Sequence, residues 1–240
     1  MSLTPFPAPS LHSSMTHDMH AHEKPLVSGV PLGVVPYALV LVHGRGGSAD
    51  GMLPIARAAG ATDAALFAPR AADGSWYPNR FLDPMDSNEP FLTSALASID
   101  RTLRDIIAGG VPAERIVLVG FSQGACLSLE YAARHAQRLG GVAALAGALI
   151  GDEHDARDGD RQYVGDFAGT PVFLGCGDAD SHIPEARVRA SAALLSQRGA
   201  AVDLRIYPGI GHNIIGDQLD ALRAMVSVVR EHAGATRTTG

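Results

Sequence analysis

From residue 38 onward, short apolar runs rich in β-branched residues alternate with stretches of helical periodicity, and this alternation narrows the architectures open to the chain to one class. The runs fall at 38–42, 64–68, 116–119, 142–146, 171–174 and 202–207. They are nearly continuous in apolar residues rather than alternating with polar ones, which is the pattern of strands covered on both faces. Between them, Leu92, Leu96, Ile99, Leu103 and Ile106 advance by three and four, as do Leu219, Leu222, Val226 and Val229, so each set lines one face of an amphipathic helix. Strands separated by helices predict an α/β fold: a mostly parallel, twisted sheet flanked by helices on both faces and joined by right-handed crossovers. A further run at 26–30 predicts an antiparallel edge strand.

No internal repeat or interdomain linker interrupts this pattern, and 240 residues suit one large domain. The expected division is a flexible N-terminal tail over 1–24, a single domain over 25–234 and a flexible C-terminal tail over 235–240. The polar stretch 151–169 reads as a surface loop. No apolar insertion between Val142 and Leu174 supplies a large cap domain. With 46% hydrophobic residues there is ample material for a core. The net charge of -6, without a lysine or arginine cluster, argues against nucleic acid or an anionic membrane surface as partner and favours a small, uncharged or weakly polar substrate. No run approaches the ~20 apolar residues of a membrane span, and the N-terminus lacks a basic start followed by a hydrophobic segment, so no stable membrane insertion and a cytoplasmic location are expected. Self-association as a homodimer stays open. Cys126 and Cys176 lie in expected core elements and read as buried thiols, not a disulfide framework. His17, Asp18, His20 and His22 form a metal-like cluster, but a tail without fixed geometry does not hold ligands, and no metal or cofactor is expected.

The chemistry centres on Gly120-Phe121-Ser122-Gln123-Gly124, which lies where the run 116–119 gives way to a helix-like stretch. Glycines on both sides permit a turn so sharp that the serine hydroxyl stands above the sheet edge. A serine hydroxyl is a poor nucleophile alone, so it needs a histidine base and a carboxylate, each following a strand, in the chain order Ser, Asp or Glu, His. Asp178 and Asp180 both follow the strand 171–174, and position alone does not choose between them. Five histidines follow Ser122. His135 and His232 fall in expected helices, His154 in the polar loop, and His182 too close to the aspartates. His212, in Pro208-Gly209-Ile210-Gly211-His212-Asn213 directly after the last strand, is the candidate base. The loop His43-Gly44-Arg45-Gly46-Gly47 follows the strand 38–42, and the backbone N–H groups of Arg45 and Gln123 are the candidate donors to an oxyanion. That loop lacks the ending and spacing of a phosphate-binding loop.

Taken together, Leu41-Val42-His43-Gly44-Arg45-Gly46-Gly47, Gly120-Phe121-Ser122-Gln123-Gly124-Ala125, Gly177-Asp178-Ala179-Asp180-Ser181-His182-Ile183-Pro184 and Gly211-His212 resemble the phospholipase/carboxylesterase family of α/β-hydrolases, which includes the acyl-protein thioesterases. The resemblance runs from about residue 31 to 229. It implies the α/β-hydrolase fold, selects Asp180 over Asp178, and implies hydrolysis of carboxylic esters, in some members of lysophospholipids or acyl thioesters. It also implies that Ser75-Trp76-Tyr77-Pro78 lies beside the acyl site, with Trp76 as a substrate contact. The resulting expectation is a serine hydrolase acting on short-to-medium acyl esters through Ser122, His212, Asp180 and an acyl-enzyme. A dienelactone-hydrolase-like or peptidase-like hydrolase on the same fold is the alternative, and a non-catalytic binding protein with this fold the alternative from another class; a cysteine at the elbow would favour the lactone hydrolase, and a missing member of the three the binding protein.

Overall fold

The computed structural model describes residues 18–151 and 163–235. In chain order the elements are β1 (Leu26–Gly29), β2 (Ala38–Val42), α1 (Ala49–Ala58), β3 (Ala65–Ala68), α2 (Phe91–Ala108), β4 (Ile116–Phe121), α3 (Gln123–Arg134), β5 (His135–Ala136), β6 (Gly141–Leu145), β7 (Val164–Gly165), β8 (Pro171–Gly177), α4 (Glu185–Gln197), β9 (Ala201–Tyr207) and α5 (Gly216–Ala235). A seven-stranded sheet runs in the order β1-β3-β2-β4-β6-β8-β9. β1 pairs antiparallel with β3 and every other neighbouring pair is parallel, as the apolar runs predict.

The side-chain period of two along β2 shows how the sheet divides the core. Ala38, Val40 and Val42 point to one face, where Leu92, Ile99, Leu103 and Ile106 of α2, the apolar residues of α3, and Val188 and Leu195 of α4 meet them. Leu39 and Leu41 point to the other, against Met52 and Ala56 of α1 and Leu222, Val226 and Val229 of α5. Both faces of the central strands are therefore dry, which is why these strands tolerate no polar alternation, whereas the partly buried edge strand β9 carries Asp203 and Arg205. The crossover from β2 through α1 to β3 leaves on one side of β2, and β4 joins on the other, so the chain reverses direction between β2 and β4. In an open α/β sheet, that reversal opens a crevice at the carboxyl ends of the strands.

Several boundaries differ from the expected ones. The N-terminal limit of the packed chain lies before residue 25: Asp18 and His20 bond to α2, and His20 is fully buried, whereas Met19, Ala21, His22 and Lys24 are exposed. A proline- and histidine-rich composition hid this, because two hydrogen bonds to one imidazole and one from its backbone N–H leave no periodicity. His135 caps α3 and opens the short β5, which pairs with β7, instead of lying within a helix. The loop expected over 151–169 falls partly outside the described residues; at its end β7 forms and Phe167 is buried, so that part is not purely surface. Helix α1 carries Pro54 and only a short apolar face, which kept it from being read in the sequence; its Ser48 side chain accepts from the Gly51 N–H at 3.2 Å and caps it. Among the described residues no helix is long and apolar enough to cross a membrane.

Leu103 contributes a fully packed side chain between α2 and the sheet, whereas Val34 is 66% exposed. Leu103→Ala is therefore expected to lower the unfolding free energy in urea by about 3 kcal/mol and Val34→Ala by less than about 0.5 kcal/mol. Equal effects would contradict the assignment of α2 to the core.

Candidate active site

The carboxyl ends of β2, β4, β8 and β9 bring together segments far apart in the chain. β4 ends in a turn so tight that Ser122 adopts φ 54° and ψ -121°, a conformation that costs a non-glycine residue about 1–3 kcal/mol. The surroundings hold it there: the Ser122 N–H donates to the Leu145 carbonyl at 3.0 Å, and the Ser122 carbonyl accepts the Cys126 N–H at 3.0 Å. The flanking glycines are required by space. A Cβ on Gly120 would lie 2.3 Å from the Gly124 carbonyl oxygen, and one on Gly124 would lie 2.2 Å from that of Val42. The turn thus presses α3 onto the end of β2.

Ser122 Oγ lies 2.7 Å from His212 Nε2, and His212 Nδ1 lies 2.6 Å from Asp180 Oδ2. Of the two candidate aspartates, Asp180 faces the imidazole. Asp178 does other work: its Oδ1 accepts the Gly209 N–H at 2.7 Å and braces the loop that carries His212. That loop sits close over the end of β8 because residue 177 is glycine; a Cβ there would fall 1.8 Å from the Ile210 carbonyl oxygen. Asp180 Oδ1 accepts the backbone N–H groups of His182 at 2.8 Å and Ile183 at 3.0 Å. Burial by itself would raise the Asp180 pKa, but the hydrogen bond to His212 and these two amides outweigh it and hold the carboxyl below its ordinary value. Asp180 is therefore ionised at neutral pH, and His212 Nδ1 carries the proton it donates. The Cys176 thiol lies 3.6 Å from Asp180 Oδ2; burial, then the Asp180 charge, push its pKa up to about 12, so it remains a thiol. Cys126 is likewise buried, and both thiols are free.

Beside Ser122 runs the loop that follows β2. A Cβ on Gly44 would stand 3.2 Å from Ser122 Cβ, which measures how near this backbone comes. Among the described residues neither the Arg45 N–H nor the Gln123 N–H donates a hydrogen bond. His43 orients the first of them. The Ala71 N–H donates to His43 Nε2 at 3.2 Å, so the ring proton resides on Nδ1, which donates to the Gly44 carbonyl at 2.8 Å. Gly44 C=O and Arg45 N–H belong to one peptide plane, and fixing the carbonyl fixes the N–H on the opposite side.

Trp76 is placed differently from the expected substrate contact. Its side chain is fully buried and is absent from the lining of the cleft over Ser122; its Nε1–H donates to the His43 carbonyl at 2.8 Å. The indole supports the loop from behind. The Gln123 side chain, which the sequence reading did not use, completes this support: Oε1 accepts the Trp76 N–H at 3.0 Å and Nε2 donates to the Tyr77 carbonyl at 2.8 Å. The Arg45 guanidinium adds bonds to Ser75 Oγ at 3.1 Å, the Pro78 carbonyl at 2.8 Å and the Asn79 carbonyl at 2.5 Å. A glutamine after the serine was visible in the sequence, but nothing local indicated that its amide reaches a loop 46 residues earlier.

The cleft above these groups has a volume of roughly 540 Å³ and is lined by Arg45, Tyr77, Phe81, Phe121, Ile183 and His212 among others. His182, set aside in the sequence as too close to the aspartates, also lines it and stands edge-on to His212 at 4.8 Å between ring centroids. Among the described residues no group of three His, Cys, Asp or Glu side chains is arranged to hold a metal ion.

A model of phospholipase/carboxylesterase proteins matches residues 35–230, which spans every element from β2 to the last helix. The chain belongs to the phospholipase/carboxylesterase family. The crystal structure of a phospholipase/carboxylesterase from Dyadobacter fermentans is 40% identical, superposes with a TM-score of 0.81, and covers 85% of this chain and 96% of its own. Acyl-protein thioesterase 1 of Gibberella zeae is 35% identical over 125 residues, 50% of each chain. A probable carboxylesterase of Arabidopsis thaliana, described as SOBER1-like, is 27% identical over 137 residues, 57% of this chain and 51% of its own. The chain thus spans about half the length of these curated relatives. The family accounts for the sheet with its antiparallel edge and helices on both faces, the α/β-hydrolase fold.

The contact between Gly124 and β2 gives a test of the turn. Gly124→Ala is expected to lower the unfolding free energy by about 2–3 kcal/mol, because backbone must move to admit the methyl group. Gly46→Ala, with φ 70° but nothing within 4 Å of the added Cβ, should cost about 1 kcal/mol. Denaturant titration that ranks them in the opposite order would contradict the close approach.

Proposed function

We propose that this protein is a serine esterase that cleaves carboxylic esters with short-to-medium acyl groups, lysophospholipids and acyl thioesters being further substrates of the same chemistry. The observation that carries this reading is the line of contacts from Ser122 Oγ to His212 Nε2 at 2.7 Å and from His212 Nδ1 to Asp180 Oδ2 at 2.6 Å, opening onto a cleft. In this mechanism, His212 Nε2 takes the hydroxyl proton as Ser122 Oγ attacks the acyl carbon. Asp180 holds the imidazole in the tautomer with its proton on Nδ1 and stabilises the imidazolium. The carbonyl electrons move onto oxygen, which the Arg45 and Gln123 N–H groups receive, aided by the positive end of the α3 dipole. When the tetrahedral intermediate collapses, the alkoxide or thiolate leaves with the proton from His212. Water then repeats the sequence on the acyl-enzyme and releases the acid.

A cleft of roughly 540 Å³ suits a small or medium ester better than a triglyceride in a lipid droplet. The two buried thiols fit a reducing compartment such as the cytoplasm. The expected single domain over 25–234 extends, in this reading, back to include Asp18 and His20.

Ser122→Ala is expected to lower kcat for p-nitrophenyl acetate by at least about 10³-fold with an unchanged circular dichroism spectrum. Asp180→Asn should cost at least about 10²-fold and Asp178→Asn less than about 10-fold, since the second braces a loop and the first orients the base. Undiminished turnover in the serine variant, or the reverse ranking of the aspartates, would refute the assignment. The ratio kcat/KM measured across p-nitrophenyl esters of increasing acyl length should rise to a maximum at short or medium chains and fall beyond it, and a profile that climbs to long chains would refute the proposed substrate range.

A further inference from the structure

One histidine upstream of β1 takes no part in the chemistry proposed above, yet its ring is fully buried and both its nitrogens are committed. The Ala72 N–H donates to His20 Nδ1 at 3.0 Å, which puts the ring proton on Nε2, and Nε2 donates to the Trp76 carbonyl at 3.0 Å. The His20 backbone N–H donates to Ser94 Oγ on α2 at 2.8 Å. Two residues earlier, Asp18 bonds to the same Ser94 hydroxyl and pairs with Arg101 of α2 at 2.6 Å. The segment is thus nailed to α2 on one side and reaches, through its imidazole, into the loop 71–76 on the other.

That loop is the support of both proposed oxyanion donors. Trp76 holds the His43 carbonyl through its indole N–H and the Gln123 side chain through its backbone N–H. The ring of His43 lies tilted against Trp76 at 5.0 Å between centroids, and His20 meets the same indole edge-on at 5.5 Å. Trp76 is therefore clamped between two neutral imidazoles, one belonging to the oxyanion loop and the other to the N-terminal segment. A buried polar ring is costly unless its bonds are made, and here each bond fixes a backbone group of the loop that underlies Arg45 and Gln123.

We propose that His20 is a positioning residue for catalysis: by fixing Ala72 and Trp76 it holds the Arg45 and Gln123 amide N–H groups at the distance the developing oxyanion requires. The inference rests on the serine-esterase reading. It makes the segment ahead of the first strand part of the active-site framework, with an effect on transition-state binding and not on ground-state affinity.

Burial lowers the pKa of His20 and of His43 from 6.5, against the raising influence of the carbonyls they bond. The charged or titratable groups facing His20 are Asp18 and Glu23 on its own segment, Arg101 from α2 and His43 from the loop after β2. With the folded pKa below the unfolded one, the unfolded chain binds more protons below pH 6.5. The stability due to His20 is thus complete above that pH and is lost as pH falls toward the lowered value. A protonated His20 would turn an N–H on Nδ1 against the Ala72 N–H, loosening the clamp.

The test compares wild type, His20→Leu and His20→Gln on p-nitrophenyl butyrate, alongside inhibition by a trifluoromethyl ketone, whose hemiketal oxyanion draws on the same donors, and by butyrate as a ground-state ligand. His20→Leu is expected to lower kcat about 10-fold, to raise the Ki of the ketone by a similar factor, and to leave KM and the Ki of butyrate within about 2-fold. His20→Gln, which keeps one donor and one acceptor, should return kcat to within about 3-fold of wild type, and should lose melting temperature less steeply than wild type between pH 6.5 and 5. Wild-type kcat and ketone affinity in His20→Leu would overturn the proposal, and identical pH slopes in wild type and His20→Gln would overturn the buried neutral imidazole on which it rests. Should His20→Leu fail to fold, Ser94→Ala, which removes the α2 partner of the His20 N–H and one of the two links of Asp18 to α2 while leaving the Arg101 pair and the imidazole in place, is expected to lower kcat and ketone affinity together by about 3-fold, and wild-type values there would overturn it. A wild-type protein inert toward esters ends the esterase reading and this one together, whereas an active wild type with an unaffected His20→Leu ends this one alone.

Discussion

The structure turns on one close approach: the backbone of α3 at Gly124 against the last carbonyls of β2. A Cβ at Gly124 would overlap the Val42 and His43 oxygens, so the turn at Ser122 closes only because that position is bare. The approach sets the height of Ser122 above the sheet and the proximity of the loop after β2. The strained backbone at Ser122 is affordable because the Leu145 carbonyl and the first turn of α3 both hold it, and because β4 is buried in the middle of the sheet between β2 and β6.

Around this contact, the polar groups that reach the cleft are backed by polar groups that do not. Asp180 receives two backbone N–H groups besides the imidazole, and Asp178 anchors the histidine loop from beneath. On the opposite side the Gly44 carbonyl is held by His43, the His43 carbonyl by Trp76, and Trp76 by Gln123. These last three bonds are buried, where losing one partner leaves an unsatisfied group at a cost of about 1–3 kcal/mol. Geometry near Ser122 is thereby tied to groups several residues deep, and the tie extends to the N-terminal segment through His20.

The strands and the two long helices were legible in the sequence because burial on both faces leaves continuous apolar runs and a clear three-to-four spacing. The glycine pairs around Ser122 and the loop after β2 were legible for a related reason, since tight turns leave a local residue signature. Where no periodicity or turn chemistry marks a role, the reading failed. Trp76 was expected at the substrate and lies behind the loop, and Asp18 and His20, expected in a free tail, bond to α2. His182, set aside as the base in favour of His212, nevertheless lines the cleft, a placement no local pattern marks.

The sequence by itself determined the fold class, the strand after which each candidate group stands, and the residue types at the turn, because these follow from local periodicity and from sterics within a few residues. The residues alone left Asp178 and Asp180 open and only the family resemblance chose between them, whereas the tertiary structure alone decided that Gln123 and Trp76 brace the loop and that His20 closes the framework. Those outcomes depend on distances between segments dozens of residues apart, which are set by how strands pair and helices pack, and a one-dimensional pattern carries no record of such distances.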